Sequence, residues 1–188
     1  MTGSPARKPR RLSSLPGSPA PWAGRRSRRA GMLSALCLLL FLPAASLWAA
    51  AERGAPPPTA KDKCPVCGMF VAKYPDWLTA LRFKDGSHSY FDGAKDLFKF
   101  LHQPQKYAPG RKPEEFDAVL VRDYYTLSWI DGRKAWYVLG SDVYGPMGRE
   151  LIPLEKEKDA KGFLNDHKGQ RIIRFSEATP EVVKALDE

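Results

Sequence analysis

The stretch WLTALRFKDGSHSYFDGAKDLFKFL, residues 77–101, changes its hydrophobic period midway. Trp77 to Phe83 alternates in the manner of a strand, Asp85-Gly86 is a hairpin turn signal, and Ser87 to Phe91 reads as the returning arm. Beyond it Ala94, Leu97, Phe98 and Leu101 follow the helical period, with Asp92 placed to cap a helix that starts at Gly93. A loop with Pro104, Pro109, Gly110 and Pro113 follows, and Ala118 to Val121, with Tyr124 and Tyr125, predicts a closing strand. The unit is ββαβ.

The next residues repeat that plan with different side chains. Ala135 to Leu139 reads as a strand, Ser141 to Gly148 as a longer turn holding Gly145-Pro146-Met147-Gly148, and Glu150 to Leu154 as the returning strand. Lys158 to Leu164 predicts a short helix with Ala160, Phe163 and Leu164 on one side, and Gln170 to Phe175 closes the unit. Phe98-Lys99-Phe100-Leu101 and Gly162-Phe163-Leu164 fall at equivalent points of the two units. Thr179-Pro180-Glu181 then starts a last helix with a cap, a proline in the first turn and an early acid. The expected fold class is α+β, two tandem ββαβ repeats packed together. The first spans residues 64–125 and the second 126–176, with a C-terminal helix over 177–188.

Ahead of the repeats, charge is distributed unevenly. The chain carries a formal +9, yet eight of its basic residues and none of its acids fall in residues 1–51. The remainder is close to neutral with both signs interleaved, which is not the footprint of a nucleic-acid binder. Arg25-Arg26-Ser27-Arg28-Arg29 precedes an uncharged run from Ala30 to Ala51 with a leucine-rich centre, Pro43, and small residues at Ala49-Ala50-Ala51. A basic segment, an apolar segment and a small-residue end are the three marks of a secretory signal peptide; the alternative is an uncleaved membrane anchor. Cys37 follows Leu36 instead of a small residue, so a lipoprotein signal is not expected. Residues 52–63, with Pro56-Pro57-Pro58, read as a tether.

Export leaves two cysteines, in Lys63-Cys64-Pro65-Val66-Cys67-Gly68-Met69. Two thiols separated by two residues can turn toward one ion, and the Met69 thioether is a useful ligand only to a soft one, so the set points to Cu(I). Met147, in its Gly-Pro-Met-Gly turn, would join them if the second half stacks on the first. A zinc knuckle needs two further ligands, usually a second cysteine pair, which the sequence lacks. A thiol-disulfide redox pair and a structural disulfide stay open, both being permitted outside the cytoplasm. Of the three histidines, His88 on the first hairpin is the best ligand candidate; His102 ends the first helix and His167 sits in a turn. No Ser/His/Asp set, Gly-rich phosphate loop or pair of catalytic carboxylates stands out; Asp92 and Asp96 are four apart on the expected helix, but one is its expected cap, so the pair is set aside.

Taken in order, Cys64-Pro65-Val66-Cys67-Gly68-Met69, Phe91-Asp92-Gly93-Ala94-Lys95-Asp96-Leu97-Phe98, Val121-Arg122-Asp123-Tyr124, Ala135-Trp136-Tyr137-Val138 and Gly145-Pro146-Met147-Gly148 resemble the NosL family of nitrous oxide reductase accessory proteins. The resemblance implies two ββαβ repeats, a fold related to organomercurial lyase, and a periplasmic Cu(I) chaperone, not an enzyme. It carries the family's Cys-x-Met ligands onto Cys67 and Met69 and makes Met147 a further one. It also implies nitrous oxide reductase, or its maturation machinery, as the partner. The lipobox common in the family is absent, and the paired Cys64 is not a feature of every member.

Overall fold

The computed structural model describes residues 54–188, and the signal-peptide or anchor reading lies outside them. Four antiparallel strands form the first sheet: β1 (Thr79–Phe83), β2 (His88–Phe91), β3 (Phe116–Arg122) and β4 (Trp129–Asp131), in the order β2-β1-β3-β4. Between β2 and β3 runs helix α1 (Ala94–His102), followed by the single turn α2 (Pro104–Tyr107). The second sheet contains β5 (Trp136–Leu139), β8 (Ile152–Leu154) and β9 (Arg171–Arg174), in the order β8-β5-β9, with helix α3 (Glu157–Asp166) between β8 and β9. Both sheets thus place their first strand between the second strand and the one after the helix.

Several boundaries differ from the expected ones for local reasons. Pro75 starts a tight turn through Trp77, so β1 begins only at Thr79. Strand β4 was not expected; Trp129–Asp131 pairs with the end of β3 although three residues carry little periodic signal. The long turn at Ser141–Gly148 contains a minimal hairpin, β6 (Tyr144–Gly145) with β7 (Gly148–Arg149), and carries Pro146 and Met147 at its tip. The final helix, α4 (Pro180–Lys184), is capped by the Thr179 hydroxyl, which accepts the Val182 N–H.

The expected cap of α1 is the main correction. Gly93 occupies the cap position without side-chain assistance, and Asp92 turns elsewhere. The freed helix-terminal donor at Lys95 N is taken by Glu150 Oε1, which also accepts the Leu151 N–H at 2.9 Å. Glu150 therefore fastens the second half to the start of α1. Gly93 permits this approach: a Cβ there would collide with the Glu150 carboxylate. Burial raises the Glu150 pKa to about 8 despite those N–H donors and nearby Lys95.

Alternation along the second sheet explains how the halves pack. Tyr137, Leu139, Leu151 and Ile173 join the large core built from Leu81, Phe91, Leu97, Phe98 and Val119. Val138, Ile152 and Leu154 instead meet Ala160 and Phe163 of α3 in a smaller cluster. With period 2, successive residues of β5 serve opposite faces, so one sheet is covered on both sides. Phe98 lies edge-on to Tyr137 with ring centroids 5.2 Å apart, tying α1 to the second half.

Candidate metal centre

The cysteine loop is folded by its own backbone. The Cys64 N–H donates to the Met69 carbonyl at 2.9 Å, and the Gly68 N–H to the Cys64 carbonyl at 2.8 Å. Gly68 has φ +78°, a left-handed conformation that a side chain would oppose. A bridge between Lys63 and Phe70 closes the loop's base. This tight turn directs both sulfurs to the start of α1.

There the Cys64 thiol donates to Asp96 Oδ2 at 3.3 Å, and the Cys67 thiol to Asp92 Oδ1 at 3.2 Å. One donor atom from each of these four residues lies within 4.8 Å of every other. Asp92 is only 1% exposed, and its Oδ2 has no hydrogen-bond partner. The pair that sequence reasoning had set aside is therefore part of the constellation. Their closeness in sequence was the available signal, but Asp92 lies just ahead of the Gly93 cap and not on the helix, so helical spacing alone does not bring the two together.

Burial is the largest influence on both thiols. It pushes Cys67 up to about 12 and Cys64 well above its ordinary range, and the adjacent aspartates act in the same direction. The N–H groups of Val66 and Cys67 at the Cys64 sulfur, and of Met69 at the Cys67 sulfur, favour the thiolates but do not prevail. Burial also raises Asp96, with the charge of Asp92 adding to it. Both thiols are thus held protonated at neutral pH. That is the reverse of an oxidoreductase, whose attacking cysteine needs a depressed pKa.

A cleft of about 780 Å³ opens beside these residues, lined by Cys67, Asp96, Lys99, His102 and Met147 among others. Cys64 is 1% exposed, so Cys67 is the thiol that meets the cleft. Met147 reaches it from the second half, 44% exposed at the β6–β7 tip, with its carbonyl accepting the Lys95 ammonium at 2.8 Å. Lys95 is itself buried and also pairs with Asp187 at 3.1 Å. Met69 is half-buried on the cysteine loop, outside the residues lining the cleft.

His88 stands apart from this group. It lies at the far end of β2 from Asp92, stacked on Tyr90 with centroids 5.9 Å apart. The histidine at the cleft is His102, whose buried Nδ1 has no hydrogen-bond partner. Sequence reasoning preferred His88 because a hairpin can face a loop, but this hairpin presents Asp92 and not His88 to the cysteines.

Known proteins share this arrangement of elements. The copper-binding lipoprotein NosL of Stutzerimonas stutzeri is 32% identical over 125 residues, taking in 62% of this chain and 61% of that one. The chain thus spans about three fifths of that relative's length. The crystal structure of the copper chaperone NosL from Shewanella denitrificans matches with a TM-score of 0.57 at 28% identity, over 69% of this chain and 98% of that one. The NosL family profile matches residues 56–183, which include both sheets, the cysteine loop and Met147, and the chain belongs to the NosL family.

Proposed function

We propose that this protein is exported to the periplasm, binds one Cu(I) ion, and passes it by ligand exchange to nitrous oxide reductase or its maturation machinery. The observation that carries this reading is that Cys67 and Met147, from different halves of the chain, line the same open cleft. A thiolate with thioethers suits a soft monovalent ion and suits few others. Cys67, Met69 and Met147 are the sulfur ligands in this reading, with Cys64 assisting. The names of the two relatives, one copper-binding and one a copper chaperone, support the same cargo.

Loading requires loss of the thiol proton, for which the aspartates beside the sulfurs are natural acceptors. Release requires that an incoming ligand reach the ion before the old ligands leave. An open cleft with one exposed sulfur permits this, whereas a closed four-sulfur cage does not. The test is titration of the reduced protein with Cu(I) against a competing chelator. One ion per chain is expected, with affinity falling by about tenfold or more in Cys67→Ser and Met69→Leu. Unchanged affinity in both variants overturns the ligand assignment. Incubating the Cu(I)-loaded chain with metal-free nitrous oxide reductase, alone and with its maturation proteins, tests the client.

A further inference from the structure

Met147 sits on a hairpin too small to place it unaided. Strands β6 and β7 share two residue pairs, Tyr144 with Arg149 and Gly145 with Gly148, and a hairpin of that size has little stability of its own. Its base is fixed by Glu150, which follows β7 and is bonded to α1, but its tip is held from across the cleft by Lys95. We propose that Asp187, in the turn Ala185–Asp187 after α4, is a positioning residue for Met147: its carboxylate fixes Lys95, and Lys95 keeps the hairpin tip at the cleft. Its consequence for copper rests on the reading of Met147 as a Cu(I) ligand; its consequence for the hairpin does not.

Lys95 links three segments that are far apart in sequence. From α1, its Nζ donates to the Met147 carbonyl at 2.8 Å and lies 3.1 Å from Asp187 Oδ1. The side chain is 2% exposed, and a buried ammonium keeps its place only with a counter-charge at hand. Glu150, also near Lys95, is held protonated at neutral pH by burial, so the charge partner is Asp187.

The carboxylate is held firmly enough to do this. Val183 and Leu186 are buried in the large core, so the turn that carries Asp187 is anchored to the body of the protein. Lys99 Nζ lies 2.8 Å from Asp187 Oδ2, which leaves both oxygens engaged by lysines of α1. The Asp187 side chain is itself exposed, so replacing it opens no cavity in the core. What its loss removes is the charge that keeps Lys95 inward. Lys95 then turns toward water, and the Met147 carbonyl loses its donor. An ion pair that served only the fold would leave Met147 where it is.

The test is nuclear magnetic resonance of the reduced, metal-free full chain labelled at its methionine methyl groups. The Met147 signal is assigned by its loss in Met147→Leu, and Met69 on the cysteine loop is the internal reference. Asp187→Asn should shift and sharpen the Met147 signal and leave that of Met69 in place, and Asp187→Glu should keep the parent spectrum. Lys95→Leu breaks the same link from its other end and should move the same signal, so the result does not hang on one variant. An unmoved Met147 signal in either variant, shown to be folded by near-ultraviolet circular dichroism, overturns the proposal. Cu(I) competition adds a second arm. Asp187→Asn should weaken binding about fivefold or more in the parent but less than about twofold in the Met147→Leu background, because a residue that acts through Met147 then has nothing to act on. Equal losses in the two backgrounds overturn the proposal. If Met147→Leu alone binds Cu(I) as tightly as the parent, the ligand reading of Met147 falls, and the methyl signal still decides whether Asp187 places the hairpin tip.

Discussion

Helices α1 and α3 occupy equivalent places in the two halves and do different work. In α3 only Ala160 and Phe163 are buried, and acidic Glu157 and Asp159 face outward near its start. That is an ordinary amphipathic helix on one sheet. In α1, by contrast, Lys95 and Asp96 are buried beside Leu97 and Phe98, with Asp92 buried just ahead. Charged residues are seldom buried without partners, and here the partners are two thiols, the Met147 carbonyl and Asp187. A repeat that had only to fold would resemble the second half; the first carries polar burial at the site.

The sharpest way to break this comparison is to cut the core on each side. Phe98→Ala and Phe163→Ala each remove a fully buried ring and should cost about 3–5 kcal/mol in urea denaturation. Only Phe98→Ala should also weaken Cu(I) binding, because Phe98 joins α1 to the second half through Tyr137. Equal loss of metal binding in both variants would remove the distinction between the helices.

Glu150 tests the joint more finely. Its folded pKa, raised from 4.5 to about 8, means that the folded state binds the proton more tightly than the unfolded chain. Its contribution is therefore most favourable below about pH 4.5, declines through the interval to about pH 8, and is lost above that. Glu150→Gln should gain stability relative to the parent as pH rises across this window, read as the difference between paired thermal melts. A difference that is flat with pH would show that the carboxyl is not held protonated.

Smaller effects distinguish the two cysteines. Cys64→Ser should lower Cu(I) affinity less than Cys67→Ser, since only Cys67 lines the cleft. Alkylation near pH 8 should be slow at both and slower still at Cys64, which is buried and the more strongly held protonated. Mass spectrometry of timed samples checks this order. At the small end, His88→Ala should leave Cu(I) affinity within about twofold of the parent, because its ring packs on Tyr90 away from the cysteines.

Much of the architecture was legible along the chain, because hairpins and short helices are specified by neighbouring residues. Alternation before Asp85-Gly86, the helical period after Gly93 and the Thr179-Pro180 start each identified an element that is present. The cysteine loop was equally local, its geometry set by residues 63–70. What only the tertiary structure decided was which side chains meet. Capping propensity assigned Asp92 to its own helix, yet Cys67 claims its oxygen while Glu150, more than fifty residues away, takes the helix-terminal N–H. His102 instead of His88 reaches the cleft, and Met147 reaches it because Lys95 holds the hairpin tip. Local propensities are worth about 1 kcal/mol and depend on near neighbours. Burial of unpartnered polar groups costs more than that and is resolved only when distant segments pack, so the sequence by itself determined most of the elements and the cysteine loop, and packing decided which distant side chains surround it.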